Sequence, residues 1–320
     1  MKTKCSYYIL FLCSFIILSA LRLNAENSIL KETFIYSIKG TDTLYLDKYD
    51  IVQEETRPCV IFVFGGGFFS GTRDADFYVP YYHFLVNEGF SVVAIDYRLN
   101  LKNFKAESKL KTKDFLNIFK QTIFMAVEDL YDATKYTLEN AATWNIDKNT
   151  IVISGSSAGG ITVLQAEYEH CNRTEIAQGL PSDFKYAGVI SFAGAVFNNQ
   201  GHLKWKETPA PVQLFHGNAD KNVPFGKIKI FKWGFFGSEY IAQKYDKHKL
   251  PYYLFVEENA DHRLANDPMI YNQEEIKIFL DKYVLQKQTL VTNINVKALN
   301  KPNVKKKFKI KDYIKANFGG

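Results

Sequence analysis

Apolar residues along this chain gather into short runs, separated by longer stretches in which they recur at helical spacing. The runs at 59–64, 91–96, 150–154, 188–192, 212–216 and 252–257 are rich in Val, Ile and Phe and are bounded by Gly, Asp or Asn. That is the pattern of strands buried on both faces. Between them, 79–87, 121–143, 159–170, 238–247 and 273–283 predict helices. Strands that alternate with helices imply an α/β fold, a mostly parallel central sheet with helices on both faces. Ligands of such a sheet bind beyond the carboxyl ends of its strands, so the chemistry is expected there. Ahead of this pattern, 33–38 and 43–46 alternate around Lys39-Gly40-Thr41-Asp42 and predict a β-hairpin. Residues 101–114 are basic and polar and read as a surface loop.

Composition agrees with a folded enzyme-sized body. Of 320 residues 47% are hydrophobic and 23% charged, which excludes a disordered or collagen-like chain. Both ends differ from that body. Residues 1–25 begin with Lys2 and Lys4, continue as an apolar run and end in Asn24-Ala25, the layout of a cleaved export signal. A periplasmic or extracellular location is expected, without stable membrane insertion after cleavage. The net charge of +6 also belongs to the ends: residues 1–25 carry +3 and residues 301–320 carry +6, leaving the body at −3. Residues 286–320 therefore read as a basic, solvated C-terminal tail, and no nucleic-acid partner is expected. Residues 26–285 form the predicted catalytic domain, and no internal repeat or long linker divides them. Once the signal is removed, Cys59 and Cys171 are the remaining cysteines, too few for a disulfide scaffold, and two unpaired thiols are expected.

Candidate chemistry sits at the strand ends. Gly155-Ser156-Ser157-Ala158-Gly159-Gly160 separates a predicted strand from a predicted helix and makes a G-x-S-x-G turn at a strand-to-helix junction. Such a tight, strained turn projects the Ser157 hydroxyl above the sheet beside a helix N-terminus. Phe64-Gly65-Gly66-Gly67-Phe68 follows the 59–64 strand, where consecutive glycines let backbone N–H groups point at a developing oxyanion, joined by that of Ala158. Asp220 follows the 212–216 strand and His262 the 252–257 strand. A serine needs a neighbouring imidazole to become nucleophilic, and the imidazole needs a carboxylate to fix its tautomer. Asp183 lies at the wrong end of its strand, and Asp261 is adjacent to His262 in an extended segment, so Asp220 is the expected acid. His83, His170, His202 and His248 fall in helical or polar contexts and read as surface or packing residues; His216 reads as shaping the turn that holds Asp220.

Taken together, Phe64 to Phe68, Asp96-Tyr97-Arg98, Gly155 to Gly160, His216-Gly217 with Asp220 and Val223-Pro224, and His262 resemble the carboxylesterase and lipase families of the α/β-hydrolase superfamily. The resemblance covers about residues 60–283. It implies Ser157 as nucleophile, Asp220 as acid, His262 as base, and Gly66, Gly67 and Ala158 as oxyanion donors. Phe64 stands where hormone-sensitive-lipase-like members carry His, and looks more like the cholinesterase-type loop. Asn259-Ala260-Asp261 stands where a glycine usually precedes the catalytic histidine. The chain is far shorter than a cholinesterase and shows neither a cap helix pair nor a long insert between Phe192 and Val212, so a minimal or absent cap and an open site are expected.

The expected reaction is hydrolysis of short-acyl or glycan-linked carboxylic esters through an acyl-enzyme, with no metal or organic cofactor. Phe68, Phe69, Trp233, Phe235 and Phe236 are candidate pocket residues, with core packing as the competing reading. Two other functions fit the same order of residues. A prolyl-oligopeptidase-type exopeptidase shares the surroundings of Asp220 but would need a propeller to select peptides. A non-catalytic binding protein on this fold would be expected to have lost a member of the triad.

Overall fold

The computed structural model describes residues 28–104, 112–230 and 232–299. Residues 1–25, expected to be an export signal, residues 105–111 of the expected surface loop, and residues 301–320 lie outside the described residues. Strands β1 (Leu30–Lys39) and β2 (Asp42–Asp50) form the expected hairpin, and β2 runs antiparallel to β4 (Ser91–Ile95). From β4 onward every pairing in the main sheet is parallel, in the order β4, β3 (Arg57–Val63), β5 (Ile146–Ser156), β6 (Gly188–Phe192), β8 (Val212–Gly217), β11 (Tyr252–Glu257) and β12 (Val291–Val296). Because β4, β6 and β8 are buried along their whole length, both faces of the sheet must be covered, which is why these strands read as continuous apolar runs rather than as alternation.

The covering helices connect successive strands: α1 (Val79–Asn87), α2 (Thr112–Asn140), α3 (Ala158–Cys171) and α4 (Ser238–Lys247). Pro80 opens α1, where a missing N–H costs no hydrogen bond. Every residue of α3 is buried. Beyond β11 come a single turn, α5 (Pro268–Tyr271), and then α6 (Gln273–Ile278), which runs on as a π-helical segment from Phe279 to Leu285. Cys59 and Cys171 are buried and unbonded, and burial pushes both thiols up. Among the described residues, no helix is long and apolar enough to cross a membrane.

Three features correct the sequence reading. Helix α2 begins at Thr112, so residues 112–114 are helical and not part of a loop, and it ends at Asn140 rather than 143. Within the proposed tail, Val291–Val296 adds β12 to the main sheet, parallel to β11. Its residues alternate between exposed and half-buried, as expected of an edge strand with only one side of the ladder filled, and such a strand carries no apolar run to betray it. Finally, β7 (Ala195–Asn198), β9 (Lys227–Ile230) and β10 (Trp233–Gly237) form a separate antiparallel sheet in the order β7-β10-β9. It grows from the carboxyl ends of β6 and β8 and packs on α3.

Candidate active site

Ser157 lies between β5 and α3 with φ 50° and ψ −109°, a backbone state that L-residues rarely adopt. Close packing of the turn holds it there. A Cβ on Gly159 would come within 2.0 Å of the Val63 carbonyl oxygen, so only glycine lets α3 start this close to β3. The Ser157 N–H donates to the Phe192 carbonyl at 2.8 Å, tying the turn to the end of β6. Ala158 is the first residue of α3, so its N–H precedes the helical ladder, at the positive end of the helix dipole.

From β5, β8 and the loop after β11 the fold brings the three expected residues together. Ser157 Oγ is 2.7 Å from His262 Nε2, and His262 Nδ1 is 2.7 Å from Asp220 Oδ2. The carboxylate must accept at Nδ1, so that nitrogen carries the proton and Nε2 is free to accept the serine hydroxyl. Asp220 has a fully buried side chain, while that of His262 is 21% exposed, which leaves the imidazole open to solvent on one side. The other oxygen of Asp220 accepts the N–H groups of Asn222 and Val223 at 2.7 and 3.0 Å. Burial alone would raise the Asp220 pKa, but polar contacts from His216 and His262 outweigh it and hold the carboxyl well below the usual carboxylate range.

His216 is wholly buried behind this carboxylate. Its Nε2 lies 3.2 Å from the Val223 carbonyl oxygen and 3.4 Å from Asp220 Oδ2, and its Nδ1 lies 2.8 Å from Ser238 Oγ. Asp261 points elsewhere and caps the turn His262–Ala265 by accepting from the Arg263 N–H, and Asp183 is exposed ahead of β6. Asn259 takes the left-handed conformation, φ 62°, in the place where a glycine was expected, and its N–H donates to Asn218 Oδ1 at 2.7 Å. Asn is the non-glycine residue best suited to that conformation, which accounts for the departure from the family pattern. None of His83, His170, His202 and His248 is hydrogen-bonded to these residues; His170, for example, is buried with Nε2 on the Phe184 carbonyl.

The glycine loop turns sharply after β3, with positive φ at Gly66, Gly67 and Phe68. Asp96-Tyr97-Arg98 props it from behind: the Tyr97 hydroxyl donates to the Phe64 carbonyl at 3.1 Å, and Arg98 is anchored on Asp129. The aromatic candidates divide. Phe236 is fully buried and stacked on Tyr240, and Phe68 is buried with its ring against Phe119 and Tyr97. Both are core residues, a correction to their reading as pocket walls, because the strand and loop that carry them turn these side chains inward. Trp233 stacks on Phe197 and Phe235 meets Phe119 edge-on, both half-buried in the small sheet, while Phe69 is exposed on the loop. A cavity of about 1100 Å³ lies between α2 and this sheet, lined by Phe124, Phe197 and Trp233 among others; none of Ser157, Asp220 and His262 lines it.

Sequence reasoning missed Tyr78, Ser156 and Asn266, which join the loops around Ser157. No motif marks Tyr78 or Asn266, and Ser156 fills only the variable position of the G-x-S-x-G turn; their contacts are with segments distant in the chain.

Residues 44–198 match the BD-FAE family model. Juvenile hormone esterase of Heliothis virescens is 29% identical over 103 residues, which are 32% of this chain and 16% of that protein. The chain thus spans less than a fifth of the length of the curated relative it matches. Among solved structures, esterase 2 (Est2) of the planctomycete Thermogutta terrifontis superposes with a TM-score of 0.60 at 21% identity, over 81% of this chain and 93% of that one. Its apo form gives 0.59 at 20% identity, over 82% and 97%. At that identity the likeness shows a shared fold. Sheet order, the elbow at the end of β5 and these likenesses together show an α/β-hydrolase fold, with residues 44–198 similar to the BD-FAE family.

Proposed function

We propose that the chain is a serine carboxylic-ester hydrolase, with Ser157 as nucleophile, His262 as general base and acid, and Asp220 as the carboxylate that orients His262. One observation carries the reading: the unbroken line from Ser157 Oγ to His262 Nε2 and from His262 Nδ1 to Asp220 Oδ2, each step 2.7 Å. In the first half-reaction His262 takes the Ser157 proton as Oγ bonds to the ester carbonyl carbon. The oxyanion accepts hydrogen bonds from the N–H groups of Gly66, Gly67 and Ala158. Collapse breaks the bond to the alcohol, which leaves with the proton from His262. Water then attacks the acyl-enzyme, His262 takes its proton, and Ser157 recovers that proton as the acid is released. The chain's own residues supply every proton transfer, so the reading calls on no metal or organic cofactor.

Short-acyl or glycan-linked esters are the proposed substrates. His262 is open to solvent on one side, and apolar burial is worth only about 25 cal/mol per Å², so a long acyl chain is expected to gain little there. Export through residues 1–25 is proposed on their charge and apolar layout. The test uses p-nitrophenyl esters of graded acyl length beside aminoacyl-p-nitroanilides. Turnover greatest at short acyl chains and absent on the anilides is expected. Rates that climb steadily with chain length would favour a lipase, and cleavage of the anilides an exopeptidase.

A further inference from the structure

The glycine loop is not held by its own residues alone. Gly65 donates its N–H to the hydroxyl of Tyr78 at 2.8 Å. Tyr78 is 2% exposed, and its ring meets Phe62 edge-on at 4.8 Å. The same hydroxyl interacts with the side chain of Ser156, the residue before Ser157. Ser156 in turn donates to Asn266 Oδ1 at 3.1 Å, on the loop that carries His262. A hydroxyl has one proton. The Ser156 proton goes to Asn266, while Tyr78 accepts from Gly65. Tyr78, Ser156 and Asn266 therefore link the glycine loop, the elbow and the histidine loop.

The packing is as close as the hydrogen bonding. A Cβ on Gly65 would lie 3.0 Å from Ser156 Oγ and 3.3 Å from Ser157 Cβ, so the loop rests directly on the elbow. Because the Gly65 N–H is committed to Tyr78, the amides that follow it are the ones offered to an oxyanion. Their height above Ser157 is set where the loop is tethered.

We propose that Tyr78 is a positioning residue for the oxyanion hole: its hydroxyl fixes the glycine loop so that the N–H groups of Gly66 and Gly67 meet the oxyanion, and it ties that setting to the nucleophile and base loops through Ser156 and Asn266. This rests on the reading of Ser157 as nucleophile. Removing the hydroxyl leaves a buried N–H without a partner and frees the loop to shift. Oxyanion donors lose most of their effect when displaced by a fraction of an ångström.

The test compares Y78F, S156A and the double variant in the full chain. It measures kcat and KM on p-nitrophenyl acetate, the rate of Ser157 labelling by a fluorophosphonate, and hydrogen exchange at the Gly65 amide. Y78F should lower kcat and the labelling rate by about 10- to 100-fold, with KM within about twofold. The Gly65 amide should exchange faster, and the double variant should be little worse than Y78F because both cut one chain. Wild-type kcat and labelling in Y78F would overturn the proposal, as would a kcat loss with unchanged Gly65 exchange. If Y78F cannot be assayed folded, S156A keeps the ring packing and severs the next link, and an S156A of wild-type kcat overturns it equally. A wild-type chain that neither takes the phosphonate nor turns over ester removes the nucleophile reading itself. A labelled wild type with an unaffected Y78F removes only the role of Tyr78.

Discussion

The Ala260 carbonyl oxygen lies where a side chain on Gly217 would stand, 2.4 Å from the position of its Cβ. The loop that delivers His262 thus packs directly on the backbone at the end of β8, three residues before Asp220, and the two loops share the hydrogen bond from the Ala219 N–H to Ala260 at 3.0 Å.

Gly217→Ala should push these loops apart. We expect a stability loss of about 1 to 3 kcal/mol from overpacking, with a fall in kcat larger than that loss explains because the Asp220–His262 contact is moved. Urea midpoints and kcat measured on the same preparation check this; a variant with wild-type values for both would show that the loops shift without strain.

Ser157→Ala should reduce kcat by about 10⁶ while the fold persists, since triad members act as a unit. Ester turnover that survives in the variant, with substrate hydrolysis by contaminants excluded by active-site labelling, would end the mechanism.

For the acid, Asp220→Asn should lower kcat by about 10⁴ through the wrong imidazole tautomer. Asp261→Asn should cost far less, because Asp261 accepts from the Arg263 N–H rather than from the ring of His262, and Asp183→Asn should cost almost nothing. Equal losses in Asp220→Asn and Asp261→Asn would move the assignment.

Asp220 also predicts an acid limb of stability. Its folded pKa is held below the ordinary value despite burial, through the contacts from His216 and His262. Ionised Asp220 therefore contributes stability above the unfolded value of about 3.9, and that contribution is lost as pH falls below it toward the folded value. Between about pH 5 and pH 3 the urea midpoint of the wild type should drop more steeply than that of Asp220→Asn. Parallel slopes would show that the carboxylate is not linked to folding.

Truncation separates the contribution of the edge strand from that of the basic C-terminal residues. A chain ending after Leu299 keeps β12 and should retain kcat/KM on a small soluble ester. One ending at Leu285 lacks β12, leaves β11 as an unpaired edge, and should melt several degrees lower and associate more readily. Identical melting of the two would mean that β12 adds nothing to the sheet.

Local pattern by itself determined the alternation of strands and helices, the hairpin at Lys39-Gly40-Thr41-Asp42 and the seat of Ser157 at a strand-to-helix turn. Each rests on neighbours in the chain: strand burial on both faces writes an apolar run, and a tight turn demands small residues within a few positions. The nature and order of Ser157, Asp220 and His262 were equally readable, because each follows a strand end. Tertiary structure alone decided the rest. That Ser157 and His262 meet at 2.7 Å across 105 positions depends on where β5, β8 and β11 fall in the sheet, which no local signal records. The edge strand β12 was hidden because one open side and half-buried residues leave no periodic apolar face. The small sheet β7-β10-β9 was hidden because its strands are only four or five residues long, too short for a period to show. Phe68 and Phe236 were misread because a run of aromatic residues does not say which way each ring points. Tyr78 was invisible because its role is one hydroxyl against one distant backbone N–H, and such a contact exists only once the chain has brought the two segments together.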